Sequence, residues 1–227
     1  MARLARVIVP GLPHHVTQRG NRREPIFFED GDQGIYRDLL AEHARKEDVD
    51  VWAYCLMPNH VHLILTPQTE TGIARAVGAA HRRYTHFINA RGRWTGHLFQ
   101  SRFASVVMDE GHLIAAVRYV SLNPVRARLV ERAEEWPWSS VRAHLAGEND
   151  MLANVKPALS RVADFAGLLA DGSDTGFAAI RTAEGTGRPL GNPEFIAGLE
   201  RLLGRPLARR APGPKPRSSD DDSPQLW

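Results

Sequence analysis

The stretch DVWAYCLMPNHVHLILTP, residues 50–67, sets two apolar runs on either side of Pro58-Asn59. A turn dipeptide between two such runs reads as an antiparallel hairpin. Along its second strand the side chains alternate, so His60 and His62 share one face while Val61, Leu63 and Leu65 share the other and face the core. Two imidazoles about 7 Å apart along a strand can converge on one ion, and neutral imidazole is the commonest metal ligand. Ten histidines in 227 residues make one such pair an ordinary accident of composition. A site therefore needs at least a third protein ligand, and a purely structural zinc site would want four.

Working outward, ARVIVPGLPHHVTQRG predicts a strand over roughly residues 14–19 that ends at Gly20-Asn21. GDQGIYRDLLAEHARKEDV places Ile35, Leu39, Leu40 and His43 at helical spacing. A second helix runs from Gly72 to about Asn89, RFASVVMD is a fourth strand, and GHLIAAVRYVSL is a third helix interrupted near Asn123-Pro124. The order β-α-β-β-α-β-α predicts an α+β unit over residues 1–147. Its expected form is a ferredoxin-like four-stranded antiparallel sheet with helices on one face, the other face being free for a ligand. Residues 148–204 read as a small C-terminal helical appendage. Its clearest helix, NPEFIAGLERLLG, has Asn192 as N-cap, Pro193 at the first helical position and Gly204 as the stop. Residues 205–227, rich in Pro, Arg and Asp, read as a disordered tail.

Cys55 is the only cysteine, which excludes disulfides and cysteine-rich zinc sites within one chain. No apolar stretch approaches the ~18 residues of a membrane span. The amino-terminal segment breaks at Pro10 and Pro13 before a signal-peptide apolar region develops. The expected location is the cytoplasm, with no membrane partner. A net charge of +3 decides little, but its distribution is informative. Between Gly72 and Met108 there is no Asp or Glu, while Arg75, Arg82, Arg83, Arg91, Arg93 and Arg102 all fall there. With Tyr84, Phe87, Trp94 and Phe99 interleaved, that stretch suits a phosphate backbone with stacked bases. Arg19, Arg22 and Arg23, after the first strand, read equally as phosphate holders or as a solvated basic turn.

The place to look for a third ligand is VRYVSLNPVRA, residues 117–127. In a continuous helix Tyr119 and Asn123 would share a face, four residues apart. An amide oxygen with two imidazoles and water favours a labile Mg²⁺ or Mn²⁺ over a closed zinc site. Spacing alone favours plainer roles: Asn123 as a cap ahead of Pro124, and Tyr119 as a packed core tyrosine.

Taken in order, PNHVHLIL and RYVSLNPVRA resemble the single-tyrosine HUH transposases, whose active site joins a His-hydrophobic-His strand to a downstream helix-borne tyrosine. HHVTQRGNRREPIFFEDGD and GHLFQSRFASVVMDE are similar to that family's first strand and fourth strand. WPWSSVRAHL and TGRPLGNPEFIAGLERLLGRPLARR are similar to the carboxy-terminal part of the REP-associated tyrosine transposase branch. The resemblance spans roughly residues 5–210. It implies a DNA strand endonuclease and transferase that cleaves and rejoins single-stranded hairpin or palindromic DNA through a 5′-phosphotyrosine. In that reading Tyr119 is the nucleophile, and His60, His62 and Asn123 hold divalent Mg²⁺ or Mn²⁺. Arg19, Arg22, Arg23, Arg82, Arg83 and Arg102 contact DNA, and the protein works as a monomer or homodimer. Tyr84 is the second candidate nucleophile, although its helical spacing favours packing. Tyr36 and Tyr54 read as packing residues, and Trp136 and Trp138 as a clamp on the carboxy-terminal segment. His14 or His15 could serve as a base. The alternative is a non-catalytic single-stranded nucleic-acid-binding module whose histidine pair is structural.

Overall fold

The computed structural model describes residues 6–207. Four strands, β1 (His14–Arg19), β2 (Val49–Met57), β3 (His60–Pro67) and β4 (Ala104–Val107), form one antiparallel sheet in the order β2-β3-β1-β4. This is the expected ferredoxin-like α+β arrangement, with β2 and β3 joined through Pro58-Asn59. β1 and β3 are central. Their register sets Thr17 opposite His62 and Arg19 opposite His60, so all four side chains point to one face.

The opposite face is covered by α1 (Asp32–Lys46) and α2 (Gly72–Gly92), which also pack on each other. Val16, Val61, Leu63 and Leu65 of the sheet meet Tyr36, Leu40, Ile73, Val77, Ala80 and Tyr84 there, all fully or almost fully buried. Transfer of side chains of this size out of water contributes about 1.5–3 kcal/mol each, which makes this layer the main source of stability.

The second face is not free, contrary to the sequence expectation. α3 (Glu110–Ser121) lies across it, and Leu113, Ala116, Val117 and Val120 pack on Ala53, Cys55, Met57 and Ile64. Asp109 caps α3 by accepting the His112 amide at 2.9 Å. The remaining cover comes from the carboxy-terminal helices α6 (Lys156–Leu159), α7 (Phe165–Ala170) and α8 (Phe177–Thr186), whereas Leu199 of α9 (Pro193–Leu203) packs with Val107, which lies on the other face. Arg118 is buried and donates to the Leu168 carbonyl at 2.7 Å and to the Ser173 carbonyl, fastening α3 to that segment. α9 begins and ends as expected, with the Asn192 side chain accepting the Phe195 amide at 2.8 Å and Gly204 in the left-handed region.

Each sheet edge takes backbone hydrogen bonds from a later segment. Residues 136–140 run along β2, where the Leu56 amide donates to the Trp138 carbonyl, the Ser140 amide to the Tyr54 carbonyl, and the Trp136 indole to the Leu56 carbonyl. Trp136 and Trp138 thus act as the expected clamp, leading into α5 (Val141–Ala146). At the β4 edge the Leu190 amide donates to the Val107 carbonyl. Leu207 falls inside the stretch read as a disordered tail, yet it is buried with Val7, Val9, Val107 and Leu199. The rest of that stretch, residues 208–227, lies outside the described residues, as do residues 1–5. No helix among the described residues is long and apolar enough to cross a membrane.

Candidate active site

The site forms on the second face, where the apolar cover gives way to polar side chains. β3 brings His60 and His62 to that face by simple alternation. Their rings lie 4.9 Å apart between centroids, nearly perpendicular. α3 ends at Ser121, and the short helix α4 (Asn123–Arg126) restarts after Leu122, with Pro124 in its first turn. The break does not separate the two motif residues. Asn123 Nδ2 donates to His62 Nε2 at 3.1 Å, and the Tyr119 ring stands edge-on to the His62 ring at 5.5 Å.

The hydrogen bonds assign the tautomers. His62 Nε2 accepts from Asn123, so the neutral ring carries its proton on Nδ1 and donates to His15 Nε2, 3.0 Å away. His60 Nδ1 lies 2.6 Å from Asn59 Oδ1, an acceptor, so His60 also holds its proton on Nδ1. The same Asn59 amide donates to the Arg23 carbonyl at 3.0 Å. Both motif histidines therefore carry their lone pair on Nε2, and at His62 that lone pair accepts from Asn123. Burial, together with the positive charge of Arg19, pushes His60 down to about 4 against the opposing effect of Asn123. His62 sits well below the usual range because it is buried and faces His15 and His60. Both rings are neutral near pH 7, the form that binds a cation. Rotating the Asn123 amide by half a turn brings its oxygen to where its nitrogen now meets His62, so the donor set fits a small divalent ion.

Sequence reasoning missed two members of the site and left a third open. His15, one of two candidates for a base, is buried and stacks on His62 with 5.2 Å between ring centroids. Its neighbour His14 points to the other face and bonds the Leu12 carbonyl and the Val9 amide, a packing role. Glu184 of α8 places Oε1 3.7 Å from His15 Nδ1 and 3.8 Å from His62 Nδ1. Burial raises the Glu184 carboxyl to about 7, with Arg19 and Arg181 opposing the rise. Glu184 and Arg181 lie on a helix with no motif character of its own, so no local pattern pointed to them.

Tyr119 is 7% exposed and also rests on Phe177 at 5.2 Å. Burial, and then Glu184, raise its phenol above the usual range, while Arg181, Arg126 and Arg19 pull the other way. Tyr84, the second candidate nucleophile, is fully buried on the far face and donates to the Ile26 carbonyl at 2.8 Å. Tyr36 bonds His81 and Tyr54 bonds Asp150, so both are packing residues as expected.

With this geometry in place, the family of IS200-like transposases matches residues 9–123, half of the chain. The chain belongs to that family. Two relatives are named REP-associated tyrosine transposases. The one from Haemophilus influenzae is 24% identical over 124 residues, 50% of this chain and 70% of its own length. The one from Escherichia coli is 20% identical over 113 residues, 49% of this chain and 66% of its own length. A solved structure of a REP-associated tyrosine transposase bound to a REP hairpin shares the fold, with a TM-score of 0.56 and 21% identity over 68% of this chain and 93% of that one.

In this IS200-like transposase the arginines singled out from sequence fall into four groups. Arg19, Arg23 and Arg102 line a cleft of about 550 Å³ that reaches Glu184 and Gly185, and Arg181 joins them. Arg82 lines a second cavity of about 560 Å³ beside α2, with His81, His86, His97 and Phe99; Gln18, Ser101 and Arg102 border both cavities. Arg83 is instead paired with Glu42 at 2.6 Å. Arg22 lies in the turn after β1, where Arg22 and Arg23 both have positive φ, 53° and 65°. That turn also needs Gly20, since a Cβ there would collide with the Glu24 carbonyl. The acid-free stretch is therefore less bare than it reads. Arg75, Arg83 and Arg91 find their acids, Glu47, Glu42, Glu29 and Asp32, at positions outside it.

Proposed function

We propose that the protein cleaves and rejoins single-stranded DNA by transesterification, with Tyr119 as nucleophile and hairpin-forming ends as substrate. The observation that carries this reading is a meeting inside one chain: His62 Nε2 touches Asn123 while the Tyr119 ring abuts the His62 ring. No partner subunit is needed to complete the set, which favours action by a single chain. Tyr119 Oη forms a bond to the scissile phosphorus as the bond to the 3′ oxygen breaks. The products are a 5′-phosphotyrosine and a free 3′-hydroxyl, and attack by a 3′-hydroxyl reverses the step.

His60, His62 and Asn123 would hold Mg²⁺ or Mn²⁺. When bound, such an ion polarises the phosphate and neutralises its charge. The chain supplies the rest. Ionising a phenol of pKa ≈ 10 at pH 7 costs about 4 kcal/mol, and burial adds to that cost here. Arg19, Arg126 and Arg181 act against it, and they also attract the phosphate the phenol must reach. The arginine-lined cleft would carry the backbone, and the neighbouring cavity, with His81, Phe99 and Arg82, would take flanking bases. The hairpin bound by the structural relative supports the choice of substrate.

The test is incubation with Mn²⁺ and end-labelled hairpin DNA, followed by denaturing electrophoresis. Wild type should give a covalent protein–DNA adduct. Tyr119→Phe, which has no hydroxyl to form the bond to phosphorus, should abolish the adduct and leave DNA affinity within a few-fold. Binding without an adduct in wild type would instead indicate a non-catalytic single-strand binding module. DNA cleavage that survives Tyr119→Phe and is lost in His60→Ala would indicate a phosphoesterase with no covalent intermediate.

A further inference from the structure

Behind the motif residue His62, the described residues gather a cluster of metal-ligating side chains, His15, His62 and Glu184, whose ligand atoms lie within 4.8 Å of one another. Two of its polar atoms, His15 Nδ1 and Glu184 Oε1, are buried with no hydrogen-bond partner. Buried polar atoms are rarely left this way without a reason. One explanation would be a cation bound by the cluster itself. The hydrogen bonding argues against it, because His62 Nδ1 carries the proton that donates to His15 and has no lone pair to offer. A neutral imidazole has one donor and one acceptor nitrogen, so what holds one side decides the chemistry of the other.

We propose that His15 is a positioning residue for the cation site. By accepting the Nδ1 proton of His62, it fixes the tautomer whose Nε2 lone pair faces Asn123, and the Glu184 carboxyl, 3.7 Å from His15 Nδ1, faces the side on which His15 carries its own proton. The inference rests on the His60–His62–Asn123 reading above and extends it: a helix of the carboxy-terminal segment, outside the matched residues 9–123, completes the support of a ligand on β3. His15 is suited to the task because β1 and β3 are hydrogen-bonded neighbours. Its partner in register is Ile64, which puts its ring diagonally beside His62 on the same face. Asn59 does for His60 what His15 does for His62, since each accepts an Nδ1 proton. Partners of this kind orient metal-binding imidazoles, and their loss typically lowers metal affinity about 10–100-fold.

The experiment has two readouts on full-length protein. Two-bond ¹H–¹⁵N correlation spectra of the metal-free protein report which nitrogen of each histidine carries the proton, and Mn²⁺ titration followed by electron paramagnetic resonance reports affinity. In wild type, His62 should be protonated on Nδ1. In His15→Phe, which keeps the ring volume and removes the acceptor, His62 should populate the other tautomer and Mn²⁺ affinity should fall about 10–100-fold. His15→Gln, which restores an acceptor, should recover affinity to within a few-fold of wild type. Glu184→Gln should weaken binding less than His15→Phe does. A wild-type His62 protonated on Nε2, or equal affinity in His15→Phe and wild type, overturns the proposal. So does loss of binding in Glu184→Gln as complete as in His60→Ala, which would make Glu184 a ligand. If His60→Ala leaves Mn²⁺ binding unchanged, the underlying cation reading fails instead, while the tautomer spectra still decide what His15 does to His62.

Discussion

The two faces of the sheet are built from the same strands and solve opposite problems. On the α1/α2 face, Val16, Val61, Leu63 and Leu65 meet an apolar layer in which the Tyr84 hydroxyl bonds a carbonyl and the Tyr36 hydroxyl bonds His81. On the α3/α8 face, one residue along each strand, stand His15, Thr17, Arg19, His60 and His62, and there His15 Nδ1 and the facing Glu184 Oε1 have no hydrogen-bond partner. A shift of one residue is all that separates a core side chain from a candidate ligand. The difference teaches that rigidity and reactivity are divided by the pleat of β1 and β3. The first face holds the backbone still, so that the second can carry neutral histidines and unpartnered polar atoms at fixed spacing.

That division can be broken from either side. The largest stability effect is expected from Leu63→Ala on the packed face, a loss of about 2–5 kcal/mol in urea unfolding. His60→Ala on the same strand should cost under about 1 kcal/mol, in line with a half-buried side chain. Equal losses for the two would sink the contrast. An intermediate effect is expected with pH. On the packed face, burial pushes His14 down to about 4, against backbone hydrogen bonds, and His81 down to about 3. In the unfolded chain both take up protons near 6.5. Their contribution to stability is thus intact above that value and is lost as pH falls from 6.5 toward the folded values. Each group adds a slope of about 1.4 kcal/mol per pH unit within its window. His81→Leu should flatten the acid limb of a stability–pH curve by roughly that amount, and an unchanged limb would show that His81 is charged when folded. The smallest effect belongs to the cleft. Arg181→Ala should weaken single-stranded DNA binding a few-fold and reduce the salt slope by about one counterion, with urea stability within about 0.5 kcal/mol of wild type.

Much of the architecture was legible because period-two and period-3.6 patterns are local. The hairpin at Pro58-Asn59, the strand at His14–Arg19 and the capped helix after Asn192 each announce themselves within a dozen residues. The covered second face was legible too, but misread. Val51–Met57 is buried at every position, and an unbroken apolar run signals a strand packed on both sides rather than one. The motif residues His60, His62, Tyr119 and Asn123 were readable in order and meet in space, although what they do remains a proposal. Glu184 and Arg181 were not readable. What makes them part of the site is the docking of α8 against α3 and β4, a contact between distant segments that no window of sequence contains. The arginines failed for the mirror-image reason. Their counter-charges sit on α1 or just beyond its ends, far from them in sequence and adjacent in the fold.

The Asn59 side chain joins two parts of the molecule through one rigid plane. Its oxygen takes the His60 proton and its nitrogen grips the Arg23 carbonyl in the basic turn. An amide cannot rotate one end without swinging the other. Under the proposed function, a DNA strand that tugged the turn as it settled against Arg23 would be geared, through a single planar group, to the angle at which His60 presents its lone pair.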